Sequence, residues 1–231
     1  MANLIRSAKP SSKWSTIELY AFNITIESPS LPPPPVTVSD VILNNEELPE
    51  DNANCTKADR QFFYLMGDAT MPGEESFVED FLVFLLDLVD YNCGTRVVHT
   101  RCELEFNMCG ETVDAKPDVG VFDGPGISGT CVLLAKVDKS GTISEAMLIA
   151  EAIAAFTDAC RIARSIGRPA PRMKTVAGII MDRTTPAYYK IPITEELIYE
   201  VMAGQYPQTR TVVQRFTPVS PSSKSGYVRG V

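Results

Sequence analysis

The sequence predicts a single α/β domain, with a mixed sheet of four to five strands flanked by helices. The first observation behind this prediction is the order of periodic segments, which runs helix, three strands, long helix, strand. The second is composition: 231 residues, of which 45% are hydrophobic and 22% charged, as in ordinary globular proteins. The third is that no internal repeat of solenoid type is present. One domain is therefore favoured over two.

Four segments have helical spacing. Residues 59–66 form a short helix, and in residues 75–91 apolar side chains recur every three or four positions behind an acidic first turn. A long helix opens at Ser144 and ends near Gly167, and its apolar face is broad enough to lie across a sheet. The last helix is capped by Thr194 and ended by a glycine.

The strand predictions rest on alternation of apolar and polar residues or on short apolar runs. An N-terminal strand or arm is expected over residues 14–27. The remaining predicted strands are 96–108, 119–122, 131–137, 175–181 and 188–191.

The predicted organisation has three parts. Residues 1–58 form an N-terminal arm with a proline-rich linker, since four prolines in a row at 32–35 impose an extended path. Residues 59–217 form the α/β domain. Residues 218–231 are rich in Ser, Pro, Gly and Lys and form a flexible tail.

The charge balance bears on partners. A formal net charge of −8 and a pI near 4.8 disfavour nucleic acid, because phosphate backbones are repelled at long range. A protein partner stays open. The longest apolar run, 81–89, contains Asp87 and is too short for a bilayer, so no membrane partner is expected. Without a secretory signal, the expected location is cytoplasmic or nuclear.

Cysteine and histidine usage excludes two kinds of site. The six cysteines form no Cys-x-x-Cys pair and His99 is the only histidine, so a structural zinc site is not expected. Reduced thiols fit the expected compartment. A histidine-dependent hydrolase is disfavoured as well, because His99 lies in an alternating segment where a plain strand position explains it.

The stretch from residue 116 to 139 carries the candidate chemistry. Asp118 stands at the start of the second predicted strand, and the third ends in Val137, Asp138 and Lys139. Because side chains alternate along a strand, Val137 and Lys139 share one face and Asp138 points to the other. Strand carboxylates, a neighbouring lysine and an acid from the preceding helix would make a magnesium site for phosphodiester hydrolysis.

Plainer interpretations stand beside this one. Asp118 after a proline is a common strand start, and Lys139 opens an ordinary solvated turn. Lys136 is then one of several charges at a strand end, and Glu151 sits on the solvent edge of the long helix or pairs locally. Tyr188 and Tyr189, next to Lys190, would stack on bases in a nucleic-acid-binding protein, although alternate burial in a strand is favoured.

The element order, with Pro117-Asp118 and a downstream acid-x-Lys slot, resembles the PD-(D/E)XK nuclease superfamily. A narrower similarity covers about residues 14–217. There the segments CGETVDAKPD (109–118), LIAEAIAAF (148–156) and YKIPIT (189–194) resemble a multicopy family of uncharacterised basidiomycete (mushroom) proteins. The resemblance implies a nuclease-like core and a fungal origin.

Residue by residue, the resemblance implies that Asp118 is the metal-binding aspartate and Lys139 the lysine of the acid-x-Lys pair. Glu75 or Glu79 on the preceding helix matches the acid that completes many such sites. The implied metal ligands are therefore Asp118, Glu75 and Glu79, and the implied cofactor of an active enzyme is magnesium.

Two departures from the family pattern weaken that site. Val137 stands where the pattern has a glutamate, and Met147 where it has a glutamine. Asp138 faces away unless a bulge shifts the strand. The first hypothesis is therefore a degenerate metal site in a non-catalytic binding or interaction protein that needs no cofactor. The alternative is a magnesium-dependent nuclease in which Asp118, Lys139 and a shifted Asp138 are catalytic.

Overall fold

The computed structural model describes residues 7–29, 56–124, 129–138 and 142–218. Residues 30–55, which include the four consecutive prolines of the predicted linker, the tail from residue 219 and Lys139 lie outside these ranges. Within them, the α/β class and the mixed sheet flanked by helices are confirmed. No described helix is long and apolar enough to cross a membrane.

Five α-helices and nine strands make up the described part of the chain, with a 3-10 turn at Ser11–Lys13. The helices are α1 Thr16–Ala21, α2 Lys57–Ala69, α3 Glu75–Leu88, α4 Thr142–Ser165 and α5 Glu195–Ala203. The first five strands are β1 Ile24–Glu27, β2 Arg96–Thr100, β3 Leu104–Met108, β4 Glu111–Ala115 and β5 Val119–Asp123. The last four are β6 Thr130–Val137, β7 Met173–Asp182, β8 Thr185–Thr194 and β9 Thr211–Phe216.

The main sheet has seven strands in the order β1-β9-β8-β7-β6-β5-β2, so the predicted size of four to five strands is wrong. The strand without a prediction is β9, which lies second from one edge and pairs in parallel with β1 and antiparallel with β8. The edges are β1 and β2, and β2 pairs antiparallel with β5. Short edge strands have a weak local signal, because their pairing depends on partners distant in sequence. β3 and β4 form a separate two-stranded sheet.

The single strand predicted over residues 96–108 is two strands that belong to different sheets. Arg101 has a φ of 57°, and its backbone N–H donates to the carbonyl of Asp118 at 2.9 Å. A left-handed residue breaks the extended path, so the chain leaves the main sheet after β2 and enters the hairpin at β3. Alternation alone does not reveal this break.

Helix α4 is buried on nearly every side, because it lies between the main sheet and a layer built from β3, β4 and the N-terminal segment. Its run of alanines, leucines and isoleucines suits that position. On the opposite face of the sheet, α3 packs over β5 and β6, and α2 packs on α3. The two apolar clusters meet the sheet from its two sides.

The N-terminal segment departs from the predicted strand or arm. Ser15 caps α1 through a capping box with Glu18, and only residues 24–27 are extended. Trp14 is 1% exposed and packs against the rings of Phe22 and Phe106, with centroids 5.8 and 5.9 Å away. This segment therefore contributes side chains to the main apolar cluster.

Candidate functional site

The candidate site lies at the edge of the sheet where β5 begins and β6 ends. The two strands are antiparallel, and Val119 pairs with Ala135. One residue earlier on β5 is Asp118, and one residue later on β6 is Lys136. The register therefore brings this carboxylate and this ammonium together.

Asp118 is held by two contacts from β6. Its Oδ2 accepts a hydrogen bond of 2.9 Å from the backbone N–H of Val137. Its Oδ1 lies 3.6 Å from Nζ of Lys136, and the Asp118 side chain is only 18% exposed. The predicted site aspartate is thus fixed in position, with a lysine of the neighbouring strand as its counter-ion.

Glu151 joins this pair from α4. Its Oε1 accepts a hydrogen bond of 2.9 Å from Nζ of Lys136, so one ammonium serves two carboxylates. Glu151 is 0% exposed, and no hydrogen-bond partner is found for its Oε2 within the described ranges. We call Asp118, Lys136 and Glu151 the buried triad.

Burial and the neighbouring charges shift the triad's ionisation. Burial raises the pKa of Glu151 to about 7, and attraction to Lys136 opposes that rise. Burial by itself would lower the pKa of Lys136, but the carboxylates of Glu151 and Asp118 outweigh it and raise the pKa above its usual value. Lys136 therefore stays cationic, and Glu151 changes charge near neutral pH.

Two interpretations of single residues from the sequence are corrected here. Lys136 is not one of several loose charges at a strand end, and Glu151 is not on the solvent edge of its helix, since both are buried. The signal was present in the neighbours: Lys136 follows Leu133, Leu134 and Ala135, and Glu151 lies inside the run IAEAI. A lone charge in a fully apolar stretch indicates a buried partner.

The residues next along β6 are directed elsewhere. Val137 is buried in the apolar cluster that contains Val78 and Phe81 of α3, on the opposite side from α4. Oδ1 of Asp138 accepts a hydrogen bond of 2.7 Å from the hydroxyl of Ser144. The one bulge between β5 and β6 lies at Val121 and Phe122, far from Asp138. A bulge that turns Asp138 toward Asp118 is therefore not seen.

Glu75 lies in the first turn of α3. It lines an open cleft of about 370 Å³ together with Val137 and Asp138, and Asp118 is not in that lining. Within the described ranges, no three side chains of His, Cys, Asp or Glu are grouped closely enough to hold a metal ion. The predicted ligands Asp118, Glu75 and Glu79 therefore do not form a preformed metal site.

A second polar network joins α4 to β8 and β9. The hydroxyl of Tyr189 donates to Oε1 of Glu145 at 2.8 Å, and Nη1 of Arg215 lies 3.2 Å from the same oxygen. Burial and the Glu145 carboxylate raise the pKa of Tyr189, so the phenol stays protonated. Tyr189 is buried and Tyr188 is 44% exposed, as alternate burial in a strand predicts, so only the ring of Tyr189 is closed to stacking on bases.

His99 and the cysteines agree with the plain interpretations of the sequence. The His99 ring lies on β2 with an edge-on contact of 5.6 Å to the ring of Phe122. The five cysteines in the described ranges are free thiols. Burial raises the pKa of Cys131 to about 12, so this thiol is not a reactive thiolate.

Comparison with known proteins assigns no family to the chain. No protein-family model matches the chain, and no curated protein matches it either.

Proposed function

We propose that the protein is a non-catalytic binding protein, built on a nuclease-like core whose metal site is degenerate. Its central residue is Lys136. The resemblance noted in the sequence supplies the nuclease-like core and the role of Asp118, and the geometry of the buried triad supplies the argument against an active metal centre.

The observation that carries this proposal is the position of the Lys136 ammonium. It lies 2.9 Å from a carboxylate oxygen of Glu151 and 3.6 Å from one of Asp118, and its own side chain is only 8% exposed. A hard divalent cation would need these same oxygens as ligands at about 2.0 to 2.6 Å. The protein's own cation already pairs with both oxygens, and its removal would leave the two carboxylates facing each other without a counter-ion.

Val137 supports the same conclusion. An active acid-x-Lys pair of the kind inferred from the resemblance needs an oxygen ligand at this position, whereas the isopropyl group is packed under α3. The residue cannot bind a cation. Its burial gives it a role in the core that an ionised glutamate could not fill without a large cost in desolvation.

One observation favours the alternative, a magnesium-dependent nuclease. Oε2 of Glu151 is buried without a hydrogen-bond partner in the described ranges, and an unpartnered carboxylate oxygen is a place for a cation. In this alternative Asp118 binds the metal, and Lys139 and Asp138 act on the phosphodiester. Only this oxygen supports the alternative, whereas one oxygen of Asp118 and the other oxygen of Glu151 already contact Lys136.

A cleavage assay separates the two functions. The purified protein is incubated with single-stranded and double-stranded DNA and RNA, in magnesium and in manganese, beside the variant Asp118→Asn. The proposal predicts no cleavage above the protein-free background by either protein. Asp123→Asn, an acid at the far end of the same strand, is the matched control. Cleavage that Asp118→Asn abolishes and Asp123→Asn retains would overturn the proposal.

A further inference from the structure

Basic residues are concentrated in one part of this acidic protein. The segment 159–181 contains four arginines and one lysine and no acidic residue, whereas the whole chain has a formal net charge of −8. These cations lie on the last turns of α4, on the following loop and on the first residues of β7. We call Arg161, Arg164, Arg168, Arg172 and Lys174 the basic patch.

The arginines of the basic patch are exposed, and most of them form no ion pair with the described part of the chain. Arg161 forms an ion pair with Asp158. Within the described ranges, no carboxylate lies in ion-pair range of the side chains of Arg164, Arg168 or Arg172. Arg164 has a structural explanation, because a cation in the last turn stabilises the helix dipole. The other cations beyond the helix end have no such explanation.

A cleft of about 400 Å³ opens within the basic patch. Its apolar lining includes Ile162, Ala163 and Pro171, and its cations are Arg168 and Lys174. Asp123 is the one carboxylate among the residues that line it. The cleft therefore offers an apolar floor with a mainly basic rim.

Lys174 and two exposed aliphatic side chains fit an anionic, partly apolar ligand. Lys174 is half-buried, and this burial lowers its pKa, a cost that a bound anion would offset. Ile166 is 52% exposed and Met173 is 62% exposed, although both are large and apolar. Exposed apolar groups among arginines are typical of protein interaction surfaces.

We infer that the basic patch binds an acidic peptide segment of a partner protein, with an apolar side chain of that segment in the cleft and its carboxylates on the arginines. This inference rests on the proposed binding function and names its partner class. Arginine suits this role, because its planar fork pairs with a carboxylate through two hydrogen bonds.

An acidic peptide fits better than nucleic acid for two reasons. The segment 159–181 has no Phe, Tyr or Trp, so it lacks the rings on which unpaired bases stack. A long polyanion would also extend over the acidic remainder of the surface, whereas a short peptide stays within about one Debye length of the arginines.

The test is a fluorescence anisotropy titration of the full-length protein with a labelled peptide of Glu and Asp interrupted by leucines. The comparison probes are the same peptide with Gln and Asn in place of the acids, and a single-stranded DNA oligonucleotide. We expect the acidic peptide to bind more tightly than either, and its Kd to rise with salt.

The variant Arg164→Gln, Arg168→Gln, Arg172→Gln should raise that Kd by about tenfold or more. The matched control Lys57→Gln, Arg60→Gln, Arg183→Gln removes three exposed cations outside the patch and should change the Kd by less than about twofold. Absence of peptide binding, equal weakening by both variants, or a preference for the oligonucleotide would overturn the inference. None of these results bears on metal binding or cleavage, so the proposed function fails or stands by its own assay.

Discussion

Lys136 is a charged side chain in a strand whose neighbours are apolar, and its two carboxylate partners come from different elements, the start of β5 and the middle of α4. Such a group stabilises the fold only as long as all its partners are present. The buried triad therefore makes two predictions that concern single residues.

The first concerns Lys136→Met, which keeps the length of the side chain and removes its charge. The buried carboxylate of Glu151 and the half-buried one of Asp118 would then lack a counter-ion, and we expect the free energy of unfolding to fall by about 3 to 5 kcal/mol. Urea denaturation measures this. Lys116→Met is the control, because Lys116 forms an ion pair with Glu103 at 2.9 Å on the surface. A control variant as unstable as Lys136→Met would contradict the assignment.

The second concerns the pH dependence that Glu151 introduces. Its folded pKa of about 7 lies above the ordinary value of 4.5, so the folded state binds the proton more tightly. The stability from this group is present below about pH 4.5 and is lost as the pH rises through 7. Relative to Glu151→Gln, which does not titrate, the wild-type protein should lose on the order of 3 kcal/mol over that range.

Denaturant unfolding at a series of pH values between 4.5 and 8 measures this difference. Comparison with the glutamine variant cancels the other titrations, among them that of Glu18, whose lowered pKa has the opposite effect. A difference that does not change with pH would show that Glu151 is ionised throughout.

At the scale of elements, two contacts determine how α4 packs between its neighbouring layers. One involves the N-terminal segment, and the other is the close approach of α4 to β7. Trp14 fills the space between α1 and the β3–β4 hairpin. Gly178 lies on β7 where α4 crosses it, and a β-carbon there would meet Cδ2 of Leu148 at 2.8 Å. Each of these residues gives a prediction.

Trp14→Ala should lower the free energy of unfolding by about 3 to 5 kcal/mol, because it leaves a large cavity in the main cluster. Tyr20→Ala, in the same segment but 76% exposed, is the control and should unfold like the wild type. Thermal unfolding compares the two. If Trp14→Ala were as stable as the wild type, the N-terminal segment would be an arm that does not contribute to the core.

Gly178→Ala should destabilise the protein by about 1 to 3 kcal/mol. The new methyl group would lie 2.8 Å from Cδ2 of Leu148 and 3.1 Å from Cβ of Tyr189, which is attached directly to the β8 backbone. Gly67→Ala should do the opposite. In helix α2 no atom lies within 4 Å of a β-carbon at that position, and alanine is the better helix former by about 1 kcal/mol. Equal effects at the two sites would contradict the described packing of α4 on β7.

At the scale of the whole molecule, the sequence predicts the class and most central elements. α3, β5, β6, α4, β7 and α5 coincide with their predicted positions because each has a strong local period or a cap. β9 is not predicted, and β1 is only the last four residues of the segment 14–27, which the sequence predicts as a strand or arm. The pairing of these two strands joins residues 24–27 to residues 211–214, nearly the whole chain apart.

The candidate site was predicted in part for the same reason. Asp118 was found, because a strand start next to a proline is a local feature. The partnership of Lys136 with Glu151 was missed, because it depends on how α4 crosses β6. A buried ion pair between elements is encoded in tertiary packing, and only the apolar neighbours of each charge point to it.

The central claim is that the Lys136 ammonium takes the place of a metal ion. Its most direct test is a calorimetric titration of the wild-type protein with magnesium and with manganese, beside Asp118→Asn and Glu151→Gln. The account predicts no saturable binding by the wild type at millimolar metal. Stoichiometric binding by the wild type that both variants abolish would contradict it.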